Sequence, residues 1–349
     1  MMAQSGGVSS LGLIAAIAAF GVLGLAPVTQ AQGASIDRQL RNPLGVTAIQ
    51  RRDEADRLLQ EGRQLEAQGQ LLAAIAVWRK ALDNYQVLGE VSSQGIVYTY
   101  LGSAYFDLGY LRESEDAYRR RLAIARDRGD LQAQIYALNG VGRVLLQRQA
   151  YQSAKPLFTE ALQIAEVIKN YHGEAQSRDS LGLLAFTLRD YGQAQVQYEL
   201  ALKAGRRAAD PVMEATTLNL LGDLYEAQDQ YREAINYYGL ALRIARLNRD
   251  RTNQLKAIEG SVPIFVLQNN YLQAIDLLNE QLEVAQFREN SQLELETLQQ
   301  LAETYWLAKN YPEAEKNYEA AIALAQTLQD GSKEARLKLQ LMNMKTERR

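Results

Sequence analysis

The chain of 349 residues holds a single histidine, His172, and no cysteine. Nucleophilic catalysis of the Ser-His-Asp kind would have to run through His172, and no Gly-x-Ser-x-Gly turn accompanies it. It reads instead as a surface turn residue. The lack of thiols removes thiol nucleophiles, thiolate zinc sites and iron–sulfur ligation, and leaves stability to apolar packing alone. Carboxylates offer the remaining acid–base chemistry, and Asp179 and Asp223 fall on one expected face, yet nothing in the sequence lifts their pKa toward that task. A Gly-x-x-x-x-Gly-Lys-Ser/Thr phosphate loop is also missing. The chain is therefore expected to be no enzyme, to need no cofactor and to hold no metal.

Charge narrows the partners further. Lysine and arginine number 38 against 41 acidic residues, a net charge of −3, whereas phosphate binding requires a clustered basic excess. Nucleic acid is not expected as a partner. The arginine runs, Arg119-Arg120-Arg121 and Arg243 with Arg246 and Arg249, fall near the ends of expected helices, where they complement the helix dipole and solvate an outer face.

The elements that must position these side chains are copies of one unit. Gly62, Gly102, Gly142, Gly182, Gly222, Val262 and Ala302 stand 40 residues apart. Behind each, at fixed distances, follow a Leu or Tyr (Leu71 to Tyr311), a small residue (Ala74 to Ala314), a large apolar residue (Trp78, Tyr118, Phe158, Tyr198, Tyr238, Leu278, Tyr318) and a Leu or Ile (Leu82 to Ile322). Small residues let two helix backbones approach while the large row fills the space between them, so each unit is an antiparallel helix pair. Glu90, Asp130, Asn170, Asp210, Asp250, Asn290 and Asp330 punctuate the units with short polar side chains suited to helix N-caps.

The pattern Leu-Gly-x-x-Tyr, at Leu101–Tyr105 and Leu221–Tyr225, with the later Ala, Tyr and Ala-Leu, resembles the tetratricopeptide repeat family over residues 50 to 346. The common repeat runs about 34 residues and often ends on a proline; here lengthened helices account for the longer period, as in kinesin light chain-type repeats. The resemblance implies an all-α, right-handed superhelical solenoid of seven helix-turn-helix repeats plus a C-terminal capping helix. It also implies a protein-interaction scaffold or adaptor whose first helices line a concave groove; the alternative is a sensor or carrier of a short peptide or small ligand.

Within such a groove the expected partner-binding residues come from three rows. Asn139, Asp179 and Asn219 lie three before the glycine; Arg63, Arg143 and Asp223 lie just after it; Phe106, Phe186 and Trp306 lie four after it. Asn139 and Asn219 are similar to the asparagine ladder of kinesin light chain grooves, and aromatic anchors dominate interface energetics. Basic residues early (Arg63, Arg143) and acidic ones later (Asp179, Asp223, Glu226, Glu259, Glu296, Glu303) predict a groove divided in charge. No lysine joins these rows, so a basic clamp for carboxylate tails is not expected.

The reading divides the chain at 1–31, 32–46, 47–330 and 331–349. The first segment, apolar from Leu11 to Ala26 and ending Thr29-Gln30-Ala31, reads as a signal peptide without the usual basic n-region, which places the mature protein in the periplasm or another extracytoplasmic compartment. Retained, the same segment would be an N-terminal membrane anchor. Residues 32–46 read as a flexible linker, 47–330 as the seven repeats, and 331–349 as the cap, with Ala335, Leu339 and Met342 continuing the first-helix spacing. Pro263 predicts a kink or break in the sixth unit, since proline inside a helix costs about 3 kcal/mol.

Overall fold

A computed structural model describes residues 43–347, so the expected signal peptide and residues 32–42 of the expected linker lie outside the described residues. The described residues form fifteen helices and no strand. First helices of the units are α1 (Pro43–Ala67), α3 (Val91–Asp107), α5 (Leu131–Gln147), α7 (Tyr171–Thr187), α9 (Pro211–Glu226), α11 (Arg251–Leu267) and α13 (Ser291–Leu307). Second helices are α2 (Leu71–Val87), α4 (Leu111–Asp127), α6 (Tyr151–Val167), α8 (Tyr191–Arg207), α10 (Tyr231–Asn248), α12 (Tyr271–Phe287) and α14 (Tyr311–Thr327), and α15 (Gly331–Glu347) closes the series. Residues 50–347 gather as one compact unit. Helix α1 begins at Pro43, ahead of Thr47, because a missing N–H and a fixed φ suit proline to a first turn.

The true spacing of the backbone is 20 residues. Every helix from α1 to α14 ends on a residue in the left-handed conformation, at positions 69, 89 and so on to 329. Two hydrogen bonds close each end; at the end of α3, Gly109 N–H donates to Phe106 O at 2.9 Å and Tyr110 N–H to Tyr105 O at 2.8 Å. This pair of hydrogen bonds satisfies carbonyls that the helix itself leaves unpaired. Glycine fills the first four of these positions, Gly69, Gly89, Gly109 and Gly129, but Gln149, Lys169 and eight further non-glycine residues fill the rest. Those side chains adopt positive φ because the packed helices on either side dictate it, at about 1–2 kcal/mol each. Lys169→Gly should therefore raise unfolding stability by about 1 kcal/mol, and Gly109→Ala should lower it by a similar amount. Urea denaturation checks both, and equal midpoints for all three proteins would refute the account.

At the N-termini of the first helices from α3 onward, and of α15, side chains supply the caps, while most second helices have none. Asp130, Asn170, Asp210, Asp250, Asn290 and Asp330 each accept the backbone N–H three residues on. Glu90 is the exception, its carboxylate taken by Ser93 Oγ instead.

Glycine and aromatic rings interlock at the centre of each unit. A Cβ on Gly102 would come within 2.9 Å of three Tyr118 ring atoms, and Gly62, Gly142, Gly182 and Gly222 meet Trp78, Phe158, Tyr198 and Tyr238 in the same way. Tyr118 is also covered from the next unit by Gly140, and Tyr238 by Gly260. These rings are fully or almost fully buried. In the sixth and seventh units the notch is filled, by Val262 with Leu278 in the ring position and by Ala302 with Tyr318.

Successive first helices pack on each other, α3 on α5, α5 on α7, α7 on α9 and α9 on α11, whereas successive second helices do not reach that closeness. The first helices therefore follow the shorter inner arc and line the concave side.

Two expectations need correction. Pro263 does not break the sixth unit: α11 runs unbroken from Arg251 to Leu267, and α6 likewise accommodates Pro156. The ring of Pro263 is exposed while Ile258, Val262 and Ile264 are buried, so packing of the opposite face holds the helix through the lost hydrogen bond. In α15 the inward stripe is Leu337, Leu341 and Met344, packed against the cluster around Tyr318. Leu339 and Met342 are instead 54% and 57% exposed, and Ala335 is exposed with them. Only one face of that helix meets α13 and α14, and the 3.6-residue period allowed either stripe to be chosen.

Candidate functional site

In the row three before the glycine, Asn139, Asp179 and Asn219 do not face the groove, whereas Glu259 at the same position of the sixth unit is exposed. Asn139, Asp179 and Asn219 are 1%, 8% and 2% exposed, buried in the seams between successive first helices. Asn139 Nδ2 donates to Ser177 Oγ at 2.9 Å, and Asn219 Nδ2 reaches Asn253 Oδ1 and O at 3.2 Å. The Thr217 hydroxyl lies 2.9 Å from Asp179 Oδ2 and 3.1 Å from Met213 O. The expected ladder for a partner's backbone is thus an internal ladder from each unit to the next, and its donors are already used. Oδ1 of Asn139 and of Asn219 stays buried without a protein partner. Sequence reasoning missed Ser177, Thr217 and Asn253; the first two share a row with Thr297, five before the glycine position, which recurs at 40 residues and was visible in the pattern.

Asp179 is the electrostatic anomaly of this seam. Burial pushes its carboxyl up to about 8, against the opposing bond from Thr217. Protonation also completes the local hydrogen bonds: the single Thr217 proton cannot serve both Asp179 and Met213 O, and a protonated Asp179 supplies the second.

The other two rows do reach the groove. Early in the solenoid, cations lie over rings: the Arg63 guanidinium is 5.9 Å from the Tyr100 ring and that of Arg143 is 4.9 Å from the Phe106 ring. Phe106, Phe186 and Trp306 are half-buried. Phe186 leans on Tyr191 of its own second helix at 5.8 Å, and Trp306 packs beside the Tyr318 cluster, so these aromatics are shared between core and groove.

Later units present carboxylates. Asp223 Oδ1 and Glu226 Oε2 lie 2.7 and 2.8 Å from the Tyr238 hydroxyl, and Lys256 Nζ is 3.4 Å from Asp223 Oδ2. Burial and the like charges of Asp223 and Glu296 push the Glu259 carboxyl up, with Lys256 opposing. Glu303 accepts from Gln299 and Gln340 at 2.8 and 3.0 Å, which carries the polar line into α15. His172 is exposed, its Nδ1 2.7 Å from Asp210 Oδ2. Among the described residues no group of three or more His, Cys, Asp or Glu is set to hold a metal, and no helix is long and apolar enough to cross a membrane.

The tetratricopeptide repeat family model matches residues 133–207 and 264–327, and a second model of the same repeat matches 217–252, together just over half of the chain. The chain belongs to the tetratricopeptide repeat family. Solved structures extend the likeness of these repeats across most of the chain at the level of fold. A Rap protein complexed with competence and sporulation factor is 15% identical, with a TM-score of 0.53 over 85% of this chain and 98% of that one. The Rap conjugation gene regulator of plasmid pLS20, in complex with the Phr* peptide, is 17% identical, with a TM-score of 0.52 over 78% and 74%. A signal transduction ATPase with a tetratricopeptide repeat sensor from Pyrococcus horikoshii is 16% identical, with a TM-score of 0.54 over 82% of this chain and 44% of that one. No curated protein matches the chain in sequence.

Proposed function

We propose that this chain is a non-enzymatic scaffold that holds a segment of a partner protein in the concave groove of its repeats. The observation that carries the reading is the division of the groove: Arg63 and Arg143 with aromatic rings in the first three units, and Asp223, Glu226, Glu259, Glu296 and Glu303 in the last three. Core rows repeat while these rows vary, as expected of one framework carrying a specialised face. The same fold holds a peptide in the pLS20 Rap regulator. Partner segments should place basic side chains on units five to seven. Phe106, Phe186 and Trp306 offer half-open edges for apolar anchors.

A stoichiometric partner recovered from the native compartment tests this reading, and its affinity should fall about tenfold as salt is raised from 0.1 M to 1 M, where the screening length drops from about 10 Å to about 3 Å. Glu259→Gln with Glu296→Gln should remove most of that salt dependence. If affinity ignores both salt and the double substitution, the charge reading fails and the half-buried aromatics become the binding surface. If a peptide or small molecule and no protein is recovered, the chain is a sensor or carrier.

Export forms part of the same proposal and rests on the apolar run that ends at Thr29-Gln30-Ala31. Mass spectrometry of the native protein should find Gln32 as its first residue; an intact Met1 would place the protein in another compartment or leave it anchored.

A further inference from the structure

The solenoid curves far enough for its first units to face its last. Glu66, Gln68 and Asp107, at the edge of units one and two, look across a cavity of about 640 Å³ at Thr252, Arg288 and Asn290 from units six and seven. That volume lies within the range of small-ligand sites, about 300–1,000 Å³. Among the described residues no hydrogen bond or ion pair joins the two walls.

The walls carry opposite charges that lack partners. Arg288 has only a long 3.4 Å bond to Thr252 Oγ1 and no ion pair among the described residues. Opposite it, burial pushes the carboxyls of both Glu66 and Asp107 up; the charge of Asp107 adds to the effect on Glu66, while Arg63 and Arg143 only partly oppose it. Glu289, exposed in the adjoining left-handed turn, is a further carboxylate on the Arg288 side. A simple anion would meet these carboxylates as well as Arg288. A simple cation would leave the guanidinium uncompensated. A molecule with an ammonium at one end and a carboxylate at the other matches both walls, and a second positive group on it would answer the surplus of carboxylates.

We infer that this cavity binds a zwitterion, a free amino acid or short peptide with unblocked termini, its ammonium on Glu66 and Asp107 and its carboxylate on Arg288. The site lies at the edge of the partner groove, Glu66 standing in the same first-helix row as Phe106, and its test uses no protein partner. A ligand held there ties the first units to the last across the turn of the superhelix, and so sets the width of the groove between them.

The test is calorimetric titration of the whole chain with free lysine and with the tripeptide Ala-Lys-Ala in three forms: unblocked, N-acetylated and C-amidated. The expected result is binding of an unblocked probe, weakened roughly tenfold or more by either block. Arg288→Gln should abolish the preference for acid over amide, Arg288→Lys should restore it in part, and Glu66→Gln should reduce the preference for amine over acetyl. Unchanged melting of the variants shows that folding is intact. No binding of any unblocked probe, equal binding of blocked and unblocked forms, or an acid preference that survives Arg288→Gln would each overturn the assignment.

Discussion

Gly222→Val should destabilise the protein by about 3 kcal/mol or more. A Cβ at residue 222 falls inside the van der Waals shell of the Tyr238 ring, and the ring cannot retreat because Gly260 of the next unit covers its other side. The Tyr238 hydroxyl is held as well, between Asp223 and Glu226. Overpacking of this kind costs about 1–3 kcal/mol, and the valine adds a second branch. The sixth unit indicates the remedy, since it carries Val262 in the glycine position and Leu278 in the ring position. Tyr238→Leu should therefore cost less in the Gly222→Val background than alone, with a coupling of about 1–3 kcal/mol. Gly239 is the control: a Cβ there meets nothing within 4 Å, so Gly239→Ala should stabilise by about 1 kcal/mol through helix propensity. Urea denaturation of the wild type and the four variants decides the matter, and additivity of Gly222→Val and Tyr238→Leu would show that ring and notch are not coupled.

A second large effect belongs to Asp179 and depends on pH. Unfolded, its carboxyl ionises near 3.9; folded, burial in the seam raises that to about 8. Below about pH 4 both states are protonated and the residue costs nothing. Between about 4 and 8 the folded state holds one proton more than the unfolded state, so stability falls as pH rises, by about 1.4 kcal/mol per unit, and levels off above 8. Asp179→Asn keeps a donor for Thr217 and removes the ionisation, so it should raise stability near neutrality by about 3–4 kcal/mol and change little near pH 4. Denaturation midpoints taken from about pH 5 to 8 should diverge between the two proteins. Parallel curves would mean that the carboxylate is solvated in the folded state.

Much of this molecule was legible in its sequence because a repeat states the same physical requirement seven times. Glycine before an aromatic row, at a constant distance, has one economical explanation, a backbone notch that receives a ring, and the structure has that notch at Gly62, Gly102, Gly142, Gly182 and Gly222. The capping residues were equally readable, since Asp or Asn before a helix acts on a backbone N–H only three residues away. The left-handed helix ends were legible only at the first four, where glycine marks them. From Gln149 onward no residue type signals a conformation that tertiary packing imposes.

The groove was less legible, and for a physical reason. The sequence alone determined the fold, the period, the pairing of glycine with ring and the drift from basic to acidic residues along the first helices, all of which follow from residue type at fixed spacing. Which of those residues meet solvent was decided by the angle between successive first helices. A rotation of a fraction of a turn sends Asn139, Asp179 and Asn219 into the seams and leaves Arg63 and Arg143 outside, and the 3.6-residue period does not fix that angle. Curvature likewise brought Glu66 and Asp107 opposite Arg288, since the facing of two walls so remote in the chain is a sum over every packing angle between them.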